Sequence, residues 1–406
     1  MSILSDKLRA LGVQQGAQNL PPPRRKSQAY AIENVIVGRF QATPHGDVFV
    51  VEKGYDSSYR HGKMALKGES SLEMIATWAR DRRLSQSPLA QFAFLDTETT
   101  GLAGGTGTYA FLVGVGRFEG DKLQLAQFFM RDPSEEAALL VALTEFLQPC
   151  QVLVTFNGKA FDAPLLNTRY TLNRQVSPLL TLAHLDLLPL ARRLWPDRLD
   201  NHRLGTLETQ LLGAQRTEED IPGWLIPSIY FGYLRQGDAR ALPGVFYHNA
   251  MDVLTMAALL NHAAQLLADP LNPSVEDALD IVALGQFYEN MGDVETAAQL
   301  FEQGLARNDL PEAHYWATQR RLSFLHKRHQ HWIAAVELWQ LAAEGRQIYA
   351  HVELAKFYEH QQRNYDEAIL WTQTALNLLT AHERSQWWGD LHHRLARLQR
   401  KAARNQ

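Results

Sequence analysis

The segment FAFLDTETTGL places two carboxylates, Asp96 and Glu98, two residues apart at the end of an apolar run. Residues i and i+2 of a strand point to the same face, so these side chains project together from a sheet edge. At that spacing they repel, and one stays protonated unless a cation neutralises the pair. Oxygen-only ligands suit magnesium or manganese. The same letters also spell a capped turn, because Asp and Thr before Gly are frequent loop formers. The motif alone leaves both readings open. A second segment, VTFNGKAFD, closes a strand with Asn157 and Gly158 and opens a helix at Asp162. Taken singly, Asp162 reads as a helix N-cap rather than a ligand. A third, VFYHNAMDVLTM, sets His248 and Asp252 four apart on one helical face. Such a pair is usually surface electrostatics, but its neighbours Val245, Phe246, Met251 and Leu254 are apolar.

Taken together, the three segments give Asp-x-Glu on a first strand, Asp after a later strand, and His with Asp on a late helix. That order resembles the DEDD superfamily of 3′–5′ exonucleases, which have a ribonuclease-H-like fold. The resemblance covers roughly residues 90–268. The longer stretches DTETTGLAGGTGTYAFLVG, VTFNGKAFDAPLL, HLDLLPLARRLW, LETQLLG, DIPGWLIPSIYFGYL and YHNAMDVLTM look like the YprB type of ribonuclease-H-like domain, whose members are mostly predicted exonucleases joined to helical repeats.

The resemblance implies Asp96, Glu98, Asp162 and Asp252 as ligands of two divalent ions, Mg2+ or Mn2+, about 4 Å apart, with the water activation and leaving-group stabilisation of two-metal phosphodiester hydrolysis. It implies His248 as general base and nucleoside 5′-monophosphates as products. One departure stands out. The His branch of the superfamily places its His five residues before the last Asp, and the Tyr branch its Tyr four before; here His248 is four before Asp252 and Tyr247 is five before. His248 is preferred, because neutral imidazole accepts a proton near pH 7 and phenol does so poorly. Tyr247 is the reserve. Gly101, Gly104, Gly105 and Gly107 would allow close backbone approach to a terminal nucleotide, or simply form a loop. Asn157 either meets substrate or braces its turn. Asp186 reads as a helix cap and His184 as a packed or exposed strand residue, both outside the four-carboxylate set. Trp224, Tyr230, Phe231 and Tyr233, interleaved with Arg216 and Arg235, read either as core or as stacking positions for a single strand.

These residues need elements to hold them. NVIVGRF and DVFVVEK read as a small hairpin, and 71–84 as helical. From residue 90 the pattern is three strands, a capped helix (DPSEEAALLVALTEFL) and a fourth strand, QVLVTF. Helices are expected at 162–172, 186–195, 204–213 and 246–268. Beyond 274 only helical signal appears, with Phe287, Phe324 and Phe357, Ala298, Ala335 and Ala368, and Leu305, Ala342 and Ala375 recurring at intervals of 37 and 33. That layout resembles tetratricopeptide repeats. Six of the nine Trp lie there and read as packing between helices; the basic C-terminal stretch reads as a solvated capping helix.

The expected organisation is therefore an N-terminal arm and small β/α segment (1–89), an α/β ribonuclease-H-like domain with a mixed sheet flanked by helices (90–268), and an all-α tetratricopeptide-like solenoid (275–406). With 40 basic and 44 acidic residues the net charge is −4, which excludes a broadly basic surface. No apolar run reaches the length of a membrane span, and the N-terminus lacks the apolar core of a secretory signal. A single cysteine, Cys150, excludes an internal disulfide and suits a reducing cytoplasm. The expected activity is a cytoplasmic, metal-dependent 3′–5′ exonuclease on single-stranded DNA or RNA ends, with a protein partner on the repeats and no membrane. The alternative is a nucleic-acid-binding scaffold that recruits a partner. A two-carboxylate glycosidase is a poor third, since it leaves Asp162, His248 and Asp252 without a role.

Overall fold

The computed structural model describes residues 28–101, 107–272, 275 and 277–405. They fall into two compact units, one of residues up to 67, 87–186 and 212–258, the other of 68–86, 187–211 and 259 onward. The first unit is built on a seven-stranded sheet: β1 (Arg39–Thr43), β2 (Gly46–Tyr55), β3 (Phe92–Thr99), β4 (Ala110–Glu119), β5 (Lys122–Phe129), β6 (Val152–Thr155) and β7 (Ala183–Asp186). Their spatial order is β1-β2-β5-β4-β3-β6-β7. Pairing is antiparallel from β1 through to β3, and parallel from β3 through β6 to β7. The helices between 136 and 268 are α1 (Glu136–Leu147), α2 (Asp162–Leu172), α3 (Leu187–Leu194), α4 (Leu204–Gln210), α5 (Ile226–Gln236) and α6 (Leu242–Ala268), of which α3, α4 and the end of α6 fall in the second unit.

Three expectations change here. The β1–β2 hairpin, expected in a separate segment ending at 89, continues the sheet: β2 pairs with β5 from Phe49↔Phe129 to Tyr55↔Leu123. An exposed β5 edge would leave a row of unpaired backbone groups, and the hairpin covers it while burying Val48, Phe49 and Val50. Strand β7 stands where His184 reads as a strand residue, but it runs to Asp186, the expected start of the next helix, which begins at Leu187. Helix α5 was not expected. Its Tyr230 is fully buried, stacked on Phe111 at 3.9 Å with its hydroxyl donated to the Met130 carbonyl (3.0 Å), and Tyr233 is buried beside it. Both belong to the core, whereas Trp224 is 79% exposed.

Helix α6 opens within ALPG (241–244), just ahead of the expected 246–268, and lies directly on β4. A Cβ at Gly114 would meet the Asn249 side chain at 2.1 Å, and one at Gly116 would meet Val253 at 2.8 Å, so glycine on the strand is what admits the helix. By length and composition α6 is apolar enough to cross a membrane, but 78% of its most apolar stretch is buried, as in a core helix. A buried ion pair, Arg169 to Glu136 at 2.5 Å, joins α2 to α1.

In the second unit, α3 packs on α7 (Ala278–Met291). Next come α8 (Val294–Leu305), α9 (Glu312–Arg328), α10 (Trp332–Glu344), α11 (Ile348–His360), α12 (Tyr365–Leu378) and α13 (Ala381–Asn405). Three helix pairs followed by a closing helix match the repeat reading. Ala335, Ala342, Ala368 and Ala375 are fully buried. In the first repeat, however, the buried small residues are Ala297 and Gly304 rather than Ala298 and Leu305, a shift of one position. A Cβ at Gly304 would meet Val282 at 2.8 Å, so close approach of α7 and α8 sets that register. The basic face of α13 is not simply solvated: Arg394, Arg397 and Lys401 converge on the buried Glu359 at 2.7–2.9 Å.

Candidate active site

Strand β3 carries the first two carboxylates. Its buried Phe92–Leu95 segment runs through the core, and the register Asp96↔Gly114 and Glu98↔Leu112 keeps both acids on one side of the strand. The register shifts just beyond Glu98, so regular pairing to β4 loosens at the acidic end.

Asp162 reaches the same place from β6. Asn157 adopts φ +65° to turn the chain out of the strand, and its amide (2.8 Å) and that of Lys159 (3.2 Å) donate to the Asp186 carboxylate at the end of β7. Asn157 thus braces the turn, and the Asp186 carboxylate stabilises the loop ahead of α2. The N-cap position is Phe161, which caps nothing with its side chain. Asp162 turns instead toward β3, where the Thr97 hydroxyl donates to it at 2.5 Å. The N-cap reading of Asp162 gives way to a link between two strand ends.

Helix α6 supplies the third element. His248 Nε2 stands 3.7 Å from the Asp252 carboxylate, one turn away. Asn249 donates to the Asp96 carboxylate (2.9 Å), and its own carbonyl oxygen accepts from Gln127 (2.9 Å). The loop at 216–220 closes on this helix. Arg216 pairs with Asp252 and lies 3.2 Å from His248 Nδ1, Asp220 meets the same nitrogen at 2.8 Å, and the Thr217 amide donates to the Tyr247 hydroxyl (3.0 Å).

The electrostatics show the acids crowded together. Asp96 is raised well above the ordinary carboxyl range, first by burial and then by the charges of Asp252, Glu98 and Asp162. Glu98 is raised likewise by burial and by Asp252 and Asp162, with Arg216 opposing. Asp162 is pushed up to about 6 by burial, against the Thr97 hydrogen bond. All three residues keep part of their surface open to solvent, so the cluster lies in a pit with a mouth, not in a sealed core. Among the described residues no three His, Cys, Asp or Glu side chains stand in coordination geometry. The donor set nevertheless fits a hard divalent ion: it is all oxygen, and its mutual repulsion is what such an ion would relieve.

Of the other expected residues, Gly101 has open space where a Cβ would stand. Gly104 and Gly105 lie outside the described residues. His184 is apart from the cluster: its Nε2 contacts the Thr155 hydroxyl at 2.8 Å, and burial lowers its pKa to about 4. Sequence reasoning missed Asn249, Thr97 and Asp220. Asn249 had a signal, a polar residue between His248 and Asp252 in an otherwise apolar stretch. Asp220 had none, since its partner is contributed by a distant helix.

A mixed sheet with acids at the end of an inner strand is the arrangement of a ribonuclease-H-type domain, and residues 93–264 match the RNase_H superfamily. Residues 281–313 match the tetratricopeptide repeat. The chain belongs to the ribonuclease H superfamily, in the group that joins this nuclease-type domain to tetratricopeptide repeats. It is 33% identical over 366 residues to YprB, an uncharacterized protein of Bacillus subtilis (strain 168), a match covering 86% of this chain and 85% of that protein. Domains of this superfamily usually use divalent metals and act on nucleic acid.

Proposed function

We propose that the protein is a metal-dependent 3′–5′ exonuclease acting on single-stranded DNA or RNA ends. The observation that carries this reading is that Asp96, Glu98, Asp162 and Asp252, from a strand, a strand–helix turn and a late helix, press electrostatically on one another. These four carboxylates would hold two divalent ions, Mg2+ or Mn2+. When bound, such ions supply water activation and charge neutralisation at the scissile phosphate. The chain's own contribution is positional. Thr97 orients Asp162, Asn249 orients Asp96, and His248 lies beside Asp252, where it can accept the proton of the attacking water. The exposed Trp224 (79%) and Phe161 (56%) flank the pit in sequence, one beside Gly223 and the other beside Asp162. They offer π-faces to an unpaired strand.

The repeats fit a role in recruiting a protein. A groove of about 400 Å3 between α8, α9 and α10 carries Leu305, Leu322 and Leu338 with Glu302 and Glu337. The single, buried, unpaired Cys150 suits a reducing cytoplasm.

The test is incubation of the purified protein with Mn2+ and end-labelled single-stranded DNA and RNA, with chelator as control. A ladder shortening from the 3′ end supports the reading. Internal cuts would overturn it in favour of an endonuclease, and no cleavage of either strand in favour of a nucleic-acid-binding scaffold.

A further inference from the structure

We propose that Asp220 is a positioning residue for His248, holding the imidazole in the tautomer that carries its hydrogen on Nδ1. The inference rests on the reading of His248 as proton acceptor, and adds to it a residue that nothing in the sequence motifs assigns.

The shortest contact at Nδ1 points to one tautomer. The Asp220 carboxylate oxygen is 2.8 Å from Nδ1. Two lone pairs do not face each other at that distance, so Nδ1 carries the hydrogen and donates it. Arg216 Nη1 also lies 3.2 Å from Nδ1 and could donate there only in the opposite tautomer, so two contacts compete for this nitrogen. The Asp220 contact is the shorter of the two, and Arg216 has another partner in the Asp252 carboxylate through Nη2. With hydrogen on Nδ1, the lone pair is on Nε2, and Nε2 is the atom 3.7 Å from Asp252. The ring consequently presents its accepting nitrogen to the carboxylate cluster and its donating nitrogen to the loop. A free histidine side chain favours the opposite tautomer, with hydrogen on Nε2, so an anchor on Nδ1 has work to do.

The placement of the loop supports a built arrangement over a chance contact. Within five residues it makes three separate bonds to α6: Arg216 to Asp252, Thr217 to Tyr247 and Asp220 to His248. Gly223 continues the same wall. A Cβ there would stand 3.7 Å from His248 Nε2, so glycine leaves the accepting nitrogen uncovered.

The experiment uses the full chain with 15N-labelled histidine. Two-bond 1H–15N spectra at pH 8.5 report the tautomer of each ring, and His248→Gln identifies the His248 signals by subtraction. The expected result is the Nδ1–H form in the wild type and a shift toward Nε2–H in Asp220→Ala. Asp220→Asn serves as a second variant of unchanged shape. Turnover of the Ala variant should fall about 10- to 100-fold in kcat, the usual cost of losing a partner that orients a functional group, with KM unchanged. An unchanged tautomer in both variants, with melting temperatures near wild type, would overturn the proposal. If the wild type cleaves nothing, the spectra still decide the role of Asp220, while the nuclease reading falls alone.

Discussion

Arg216 holds Asp252 in an ion pair across 36 residues of chain, placing one fixed positive charge against a cluster of four carboxylates. Both side chains are more than four-fifths buried, so the pair is little screened. A divalent ion seeking Asp252 meets that charge. At an effective dielectric near 20, a unit charge about 8 Å from a divalent ion costs roughly 4 kcal/mol, an upper bound because the site is open to solvent. Arg216→Gln should therefore tighten Mn2+ binding by about tenfold or more in calorimetric titration, and lower the melting temperature in chelator. Weaker Mn2+ binding in the variant would mean that Arg216 chiefly holds Asp252 in place.

Asp96→Asn, Asp162→Asn and Asp252→Asn should each abolish nucleolytic cleavage. Each removes one ligand charge while keeping the shape of the side chain. Mn2+ should raise the melting temperature of the wild type, because only the folded chain assembles the cluster, and the rise should shrink in all three variants. Full activity of any of them, or of the wild type in chelator, would remove that carboxylate from the ligand set.

The raised pKa of Asp162 sets a pH dependence. Below its ordinary value of 3.8 the group is protonated whether folded or unfolded, so its burial carries no ionisation penalty. Between about 4 and 6 the unfolded chain releases the proton and the folded chain keeps it, so stability falls as pH rises. Above about 6 the loss is complete, on the order of 3 kcal/mol for a rise from 3.8 to about 6. In chelator at pH 7.5, Asp162→Asn should thus melt several degrees above wild type, with the difference vanishing near pH 4. Added Mn2+ should reverse the order, since the wild type then gains a ligand that the variant lacks.

Much of this site could be read from residue spacing. Asp96 and Glu98 share a strand face and His248 and Asp252 share a helix face, and both relations survive in the structure because they depend only on local periodicity. Asn249 and the Asp186 brace of the 157–159 turn depend on which elements become neighbours, and spacing is silent about that. The repeats show the same limit. Ala335 and Ala368 were found by period, but the first repeat slipped by one residue, since Gly304 rather than a larger residue admits its partner helix. The division at 187–211 was also invisible: helices α3 and α4 carry ordinary apolar spacing, and only packing assigns them to the unit that contains the repeats.

Glu359 offers a test confined to that unit. Its carboxylate is buried on α11 and receives Arg394, Arg397 and Lys401 from α13. Those cations outweigh the effect of burial and hold its pKa below the ordinary range. Glu359→Gln would leave three positive groups together without their counter-charge. Breaking a buried pair costs about 3–5 kcal/mol, and somewhat less here because the cations are partly exposed. Thermal unfolding followed by circular dichroism should show a clear loss of stability, with Mn2+ binding at low temperature unchanged. A variant as stable as wild type would make α13 an appendage and not a capping element.

The choice between His248 and Tyr247 decides the chemistry of proton transfer. Both residues stand near Asp252 in sequence, and adjacent helical positions point about 100° apart. The Tyr247 hydroxyl accepts from the Thr217 amide, which ties it to the loop. His248 Nε2 faces Asp252 at 3.7 Å. His248→Ala should therefore bind Mn2+ and single-stranded substrate with near wild-type affinity, yet turn over about 100- to 10,000-fold more slowly, the usual cost of losing a general base. Tyr247→Phe forfeits one hydrogen bond, worth about 1 kcal/mol of stability, and should cleave near the wild-type rate. Metal titration, substrate affinity and single-turnover rates on the two variants separate binding from chemistry. If Tyr247→Phe is inert and His248→Ala is active, the base is the phenol, and the loop bond to Thr217 must open before cleavage. The four-residue spacing of His248 from Asp252 would then be a helical coincidence.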